Sequence, residues 1–124
     1  MKILVVDDEK DVQILFQQRF RKEIRKGELN FVFAFSGEEA LNVMKTMEQE
    51  AVLILSDINM PGMRGLEVLE TIKKNYMKPP PIVMMITAYA DEENHSIAKR
   101  LGADAFLTKP LDFNLLKEKL IAIT

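Results

Sequence analysis

The chain has 124 residues, 48% of them hydrophobic, which is enough for one domain with a real core and too few for two. Its 17 basic and 19 acidic residues give a net charge of −2 and are spread along the chain, which excludes the basic footprint of a nucleic-acid binder. Cysteine is absent, so thiol chemistry and disulfides are excluded, and no apolar run approaches the roughly 20 residues of a membrane helix.

Residues 3–6 form an apolar run that stops abruptly on Asp7, Asp8 and Glu9. Acids so early break the charged, apolar, small-residue order of a signal peptide, so a soluble cytoplasmic protein is expected. Residues 10–25 place Val12, Leu15, Phe16, Phe20 and Ile24 on one stripe of an amphipathic helix. An apolar run at 31–35 precedes a helix at 38–48, which follows a capping box of Ser36 and Glu39 and carries Leu41, Met44 and Met47. The run at 52–55 leads to Asp57, and Pro61 and Gly62 keep the next helix several residues away. That helix, 65–75, carries Leu66, Leu69 and Ile72 and is stopped by the prolines at 79–81. The run at 82–86 leads to Thr87 and Ala88. A more polar helix at 92–101 carries Ile97, Ala98 and Leu101, with the lone histidine, His95, read as solvent-facing. Residues 105–107 run into Thr108, Lys109 and Pro110, and a last helix at 112–122 carries Leu115, Leu116, Leu120 and Ile121.

The first four apolar runs are nearly continuous, as strands buried on both faces are. Five strands alternating with five helices predict a single doubly wound α/β domain, a parallel sheet with helices on both faces. At this length the flavodoxin-like strand order 2-1-3-4-5 fits best, and ligands of such a sheet sit outside the carboxyl ends of its strands. Asp7 and Asp8 follow strand one, Asp57 strand three, Thr87 strand four and Lys109 strand five, so all converge on one rim. Each alone has a plainer reading: an acid after a strand caps the next helix, Lys109 is a solvated lysine, Thr87 a strand-end hydroxyl. Together they point to chemistry. Clustered carboxylates without His or Cys are hard oxygen ligands suited to Mg²⁺ with waters and a phosphate. With that ion, the charges of Asp7, Asp8, Asp57 and Lys109 sum to zero. A carboxylate can serve as the nucleophile that forms an aspartyl phosphate, and phosphoryl transfer needs mainly positioning and neutralised charge.

On the stretches "VVDDEK", "SDINMPGM", "MMITAYA" and "FLTKP" the chain resembles, over essentially its whole length, the receiver domain of response regulators in two-component signalling. The resemblance implies one receiver domain over residues 1–124, with Asp57 as phosphoacceptor. Asp8 and Asp57 would bind Mg²⁺ directly, Asp7 through water, and Asn59 through its backbone carbonyl. Thr87 would bind a phosphoryl oxygen with help from the Ala88 backbone N–H. Lys109 would pair with the phosphoryl group and precede a cis peptide bond to Pro110. The donor would be a phosphohistidine on a sensor histidine kinase or a histidine phosphotransfer protein. Beyond its own phosphoryl transfer and slow autodephosphorylation, such a domain is not an enzyme. Phosphorylation draws the threonine inward and an aromatic on strand five follows; here that residue is Phe106, which has no hydroxyl where many relatives carry tyrosine. The face of helix 92–101, strand five and the last helix would serve output or a homodimer, with neither nucleic acid nor membrane as direct partner. Tyr89 and Asn59 stand at positions that tune phosphoryl lifetime, and Arg64 stands where an acid is common.

Three other functions compete. A haloacid dehalogenase-type phosphohydrolase also uses a strand-end Asp, but Glu9 interrupts its first motif and no length remains for a cap. A flavodoxin-like electron carrier needs a Ser/Thr/Gly-rich loop for the flavin phosphate, which "DDEKD" would repel. A receiver-fold interaction module working without phosphorylation is the remaining alternative.

Overall fold

The structure, a computed structural model, describes residues 1–47, 53–58, 65–75, 81–87 and 92–123. Five strands form one sheet: β1 (Lys2–Val6), β2 (Asn30–Ala34), β3 (Leu53–Asp57), β4 (Ile82–Thr87) and β5 (Ala105–Thr108). All pairings are parallel and the order is β2-β1-β3-β4-β5, as expected. The helices among the described residues are α1 (Asp11–Arg19), α2 (Arg21–Arg25), α3 (Gly37–Met47), α4 (Gly65–Asn75), α5 (Glu92–Arg100) and α6 (Phe113–Ile123).

Strand side chains alternate between faces, and here both faces are buried. Leu4, Val6, Ile54, Val83 and Met85 pack beneath α3, α4 and α5 with Ala40, Met44, Leu69, Ile72 and Ala98. Ile3, Val5, Leu53, Leu55, Met84 and Ile86 pack on the other side against Phe16, Phe20, Leu116 and Leu120. The edge strand β2 departs from the expectation of full burial: Asn30 is exposed and Phe31, Val32 and Phe33 are half-buried. With one neighbouring strand instead of two, its outer flank stays open.

The single helix expected over 10–25 is two. Phe20 (φ −110°, ψ 24°) breaks it, although Phe20 N–H still donates to the Phe16 carbonyl and Ile24 N–H to that of Phe20. The physical reason lies in the stripe's spacing of four. At about 100° per residue each step of four overshoots a turn by about 40°, so Val12 and Ile24 would drift onto different faces of a straight helix. The break at Phe20 resets the phase and seats its ring against Phe16, Phe31 and Phe113. Leu15 falls off the stripe and is 43% exposed; on α6, Leu115 and Ile121 are likewise exposed rather than buried. The capping pair at the start of α3 is present with one shift: Glu39 N–H donates to Ser36 Oγ, while Glu39 Oε2 accepts from Phe35 N–H instead of Ser36 N–H. Val52 and the prolines at 79 and 80 lie outside the described residues.

Asp104 ties α4 to the sheet. Its Oδ2 accepts from Lys73 Nζ at 2.7 Å and from the buried Val83 N–H at 2.8 Å. Asp104→Ala is expected to lower unfolding stability by about 1–3 kcal/mol, because the Val83 N–H loses a charged acceptor. Lys73→Ala removes a partly exposed ion pair and the hydrogen bond from Nζ to the Pro81 carbonyl, but leaves the Val83 N–H its acceptor, and is expected to lower it by about 1 kcal/mol. Urea unfolding midpoints of the two variants measure the difference. No helix among the described residues is long and apolar enough to cross a membrane.

Candidate functional site

The connection from β1 runs outward to β2, whereas β3 pairs on the other side of β1. The chain segments leaving β1 and β3 therefore diverge, and a crevice opens between their carboxyl ends. Asp7 is the first residue past β1. Its N–H still donates to the Ala34 carbonyl, and its Oδ1 accepts from the Glu9 N–H at 2.9 Å, a turn that holds the carboxylate at the strand end. Asp57 is the last residue of β3, and the ladder continues past it from Ile58 N–H to the Ile86 carbonyl. Lys109 follows β5, its N–H donating to the Thr87 carbonyl at 2.9 Å, and its peptide bond to Pro110 is cis.

These positions bring oxygen ligands together. One carboxylate oxygen from each of Asp7, Asp8 and Asp57 lies within 4.8 Å of the others. Asp7 is 3% exposed and Asp57 4%, so this is not an ordinary solvated acidic patch; Asp8 faces solvent. Lys109 Nζ donates to Asp57 Oδ2 at 2.8 Å and stands 3.6 Å from Asp7 Oδ2. Burial raises the Asp7 carboxyl above its usual range, the Glu9 N–H and Lys109 pull it back, and the charges of Asp57 and Glu9 push it up again. Burial alone would lower the Lys109 ammonium; the hydrogen bond and charge of Asp57, then the charges of Asp7 and Glu9, outweigh it and hold Lys109 above its ordinary value. Three carboxylates against one ammonium leave a net deficit of two positive charges. An all-oxygen donor set with that deficit fits a hard divalent cation such as Mg²⁺.

Thr87 ends β4 and is buried. Phe106 lies on β5, half-buried against the cluster beneath α3, α4 and α5. Asn59, Arg64, Ala88 and Tyr89 lie outside the described residues. Two residues near the site carry roles that the sequence reading missed. Gly65, the first residue of α4, is buried, and a Cβ there would stand 2.0 Å from the Asp57 carbonyl oxygen and 2.7 Å from Ile58 Cα. Its own N–H donates to the Ile58 carbonyl. A glycine opening a helix shortly after the loop acid was the available signal. His95 is exposed, as expected, but its ring is stacked on Phe106 with centroids 3.8 Å apart. Nothing in a sequence separation of eleven residues announces that contact.

Fold and crevice define a flavodoxin-like α/β domain whose strand ends gather acids and a lysine where a glycine-rich phosphate loop is absent. Residues 3–121 match the response regulator receiver domain family, and the chain belongs to it. The receiver domain of Francisella response regulator 1452 is similar over 98% of this chain and 93% of its own, at 26% identity and a TM-score of 0.80. Chemotaxis response regulator CheY4 of Vibrio cholerae is similar over 99% of this chain and 98% of its own, at 26% identity and a TM-score of 0.77. The receiver domain of a DNA-binding response regulator from Colwellia psychrerythraea shares the fold at 24% identity, a TM-score of 0.84, and coverage of 99% of this chain and 97% of its own. Receiver domains serve phosphorylation-dependent two-component signalling, taking a phosphoryl group from histidine kinases or phosphotransfer proteins.

Proposed function

We propose that residues 1–124 form one cytoplasmic receiver domain that accepts a phosphoryl group on Asp57. The observation that carries this reading is the 2.8 Å contact of Lys109 Nζ with Asp57 Oδ2 inside a group of three carboxylates at the switch point of the sheet. A carboxylate oxygen of Asp57 attacks the phosphorus of a phosphohistidine. The P–N bond breaks, and its electron pair returns to the imidazole nitrogen, which takes up a proton. Lys109 orients the Asp57 carboxylate before transfer and pairs with the phosphoryl oxygens afterwards. Asp7, Asp8 and Asp57, with the Asn59 carbonyl, would hold Mg²⁺. When bound, this ion offsets the charge of the carboxylates and of the incoming phosphoryl oxygens.

Thr87 and the Ala88 N–H bind the phosphoryl group, and Phe106 shifts with Thr87. Lacking a hydroxyl, Phe106 makes this movement on packing alone. The phosphoryl group is later lost to water. The face of α5, β5 and α6 is offered to the output partner or to a second copy.

Intact mass after incubation with Mg²⁺ and acetyl phosphate tests the reading. One hydroxylamine-labile phosphoryl group, formed only with the metal, is the expected result; no adduct on a folded chain that binds beryllofluoride nowhere would overturn it. Asp8→Ala removes an exposed acid and one cation ligand. It is expected to raise the Mg²⁺ concentration at half-maximal adduct formation by about 10-fold or more, a loss of roughly 1.4 kcal/mol. A Mg²⁺ titration of the initial rate measures it. Thr87→Ala is expected to form the adduct but to show a diminished conformational response.

A further inference from the structure

His95 stands outside the group of acids, but its ring touches β5, the strand paired with the one that ends on Thr87. Its ring lies 3.8 Å from that of Phe106, centroid to centroid, with the planes 30° apart, a tilted stack and not an edge contact. Phe106 pairs in register with Met85, and Thr87 is two residues further along β4. The period of two therefore puts Phe106, Met85 and Thr87 on one face of the sheet, the face that α5 covers with Ala98 and Ile97. His95 is exposed, Phe106 half-buried and Thr87 buried, so contact with His95 holds the Phe106 ring at the outer end of that line.

We propose that His95 is a positioning residue for the Asp57 site: its stack on Phe106 holds that ring on the α5 side and opposes its movement toward Thr87. This rests on the reading of Asp57 as phosphoacceptor and of Thr87 and Phe106 as its relay. A phenylalanine offers no hydroxyl to fix its position, so ring contact and buried area are what hold it. A planar side chain on α5 supplies that contact. By linkage, a phosphoryl group that requires Phe106 inward must break the stack, and removing the stack must ease its binding by the same factor. Aromatic contacts of this kind shift such an equilibrium by about 2- to 10-fold.

The chain has one histidine, so its imidazole protons give a single, assignable pair of NMR signals. In the free protein the Phe106 ring current should displace them, and Phe106→Leu should abolish the displacement; equal shifts in the two proteins would overturn the stack. Beryllofluoride with Mg²⁺ is the probe of the site, its bound state read by fluorine NMR against Asp57→Asn. On binding, the His95 signals should move toward their Phe106→Leu positions. His95→Ala should bind beryllofluoride about 2- to 10-fold more tightly, and His95→Phe, which restores a ring, should return to the wild-type affinity. A filled site with unmoved His95 signals, or with His95→Ala binding as the wild type does, overturns the coupling and leaves the phosphoacceptor reading intact. Absence of bound fluorine signal in the wild type overturns the phosphoacceptor reading, and the coupling with it, while the ring-current comparison still reports whether the stack exists.

Discussion

Asp57→Asn is expected to reduce acyl-phosphate formation to background under conditions in which the wild-type chain takes up one phosphoryl group. An amide oxygen is a far weaker nucleophile than a carboxylate, and an amide adduct would not show the lability of an acyl phosphate. The fold should survive. The variant exchanges the charged acceptor of Lys109 Nζ for a neutral amide oxygen, which weakens that bond, but it also removes one of three mutually repelling carboxylates. These effects are about 1–3 kcal/mol each and opposite in sign, so unfolding midpoints without metal should lie close together. Added Mg²⁺ should separate them, stabilising the wild type more because it keeps the full donor set. Stoichiometric, hydroxylamine-labile phosphorylation of the variant at another residue would sink the assignment of Asp57.

Gly65→Ala is expected to combine the largest loss of stability with a loss of phosphorylation rate. Both atoms nearest the new Cβ, the Asp57 carbonyl oxygen at 2.0 Å and Ile58 Cα at 2.7 Å, are backbone, so no side chain can swing aside. Either α4 or the end of β3 must move. Overpacking of this kind lowers stability by about 3 kcal/mol. The residue displaced is the proposed phosphoacceptor, and a shift of about 1 Å between Asp57 and Lys109 is worth on the order of 100-fold in rate. Gly27 supplies the contrast. It has a φ of +76° with nothing within 4 Å of a Cβ, so Gly27→Ala should lower stability through backbone strain and leave the adduct rate unchanged. Equal rates in the Gly65→Ala and wild-type chains would show that the close approach does not position the site.

The Asp57 prediction could be framed from residue order, and the Gly65 prediction could not. Asp7, Asp8, Asp57, Thr87 and Lys109 each follow an apolar run, and in a parallel sheet everything that follows a strand arrives at the same rim. Their convergence was therefore legible once the strands were. The approach of α4 to the Asp57 carbonyl depends on how one helix lies across the end of a strand, which no local pattern encodes.

What the sequence determined by itself is whatever repeats with a short period or follows from chain order. The alternation of apolar runs with amphipathic stretches is set by hydrogen-bonding geometry at periods of 2 and 3.6, and it sufficed for the parallel sheet; chain length then favoured the strand order. The family followed from acids, threonine and lysine at the strand ends. Tertiary structure decided the rest. Phe20 breaks a helix whose periodicity alone runs through, because four phenylalanine rings, Phe16, Phe20, Phe31 and Phe113, meet there from three elements and a straight helix could not keep both ends of its stripe on them. Leu115 and Leu15 are apolar and exposed because the sheet covers only part of each helix. Gly65 and the stack of His95 on Phe106 arise where separate elements come within contact distance, and dispersion and steric exclusion act only over the few ångströms that the assembled fold creates.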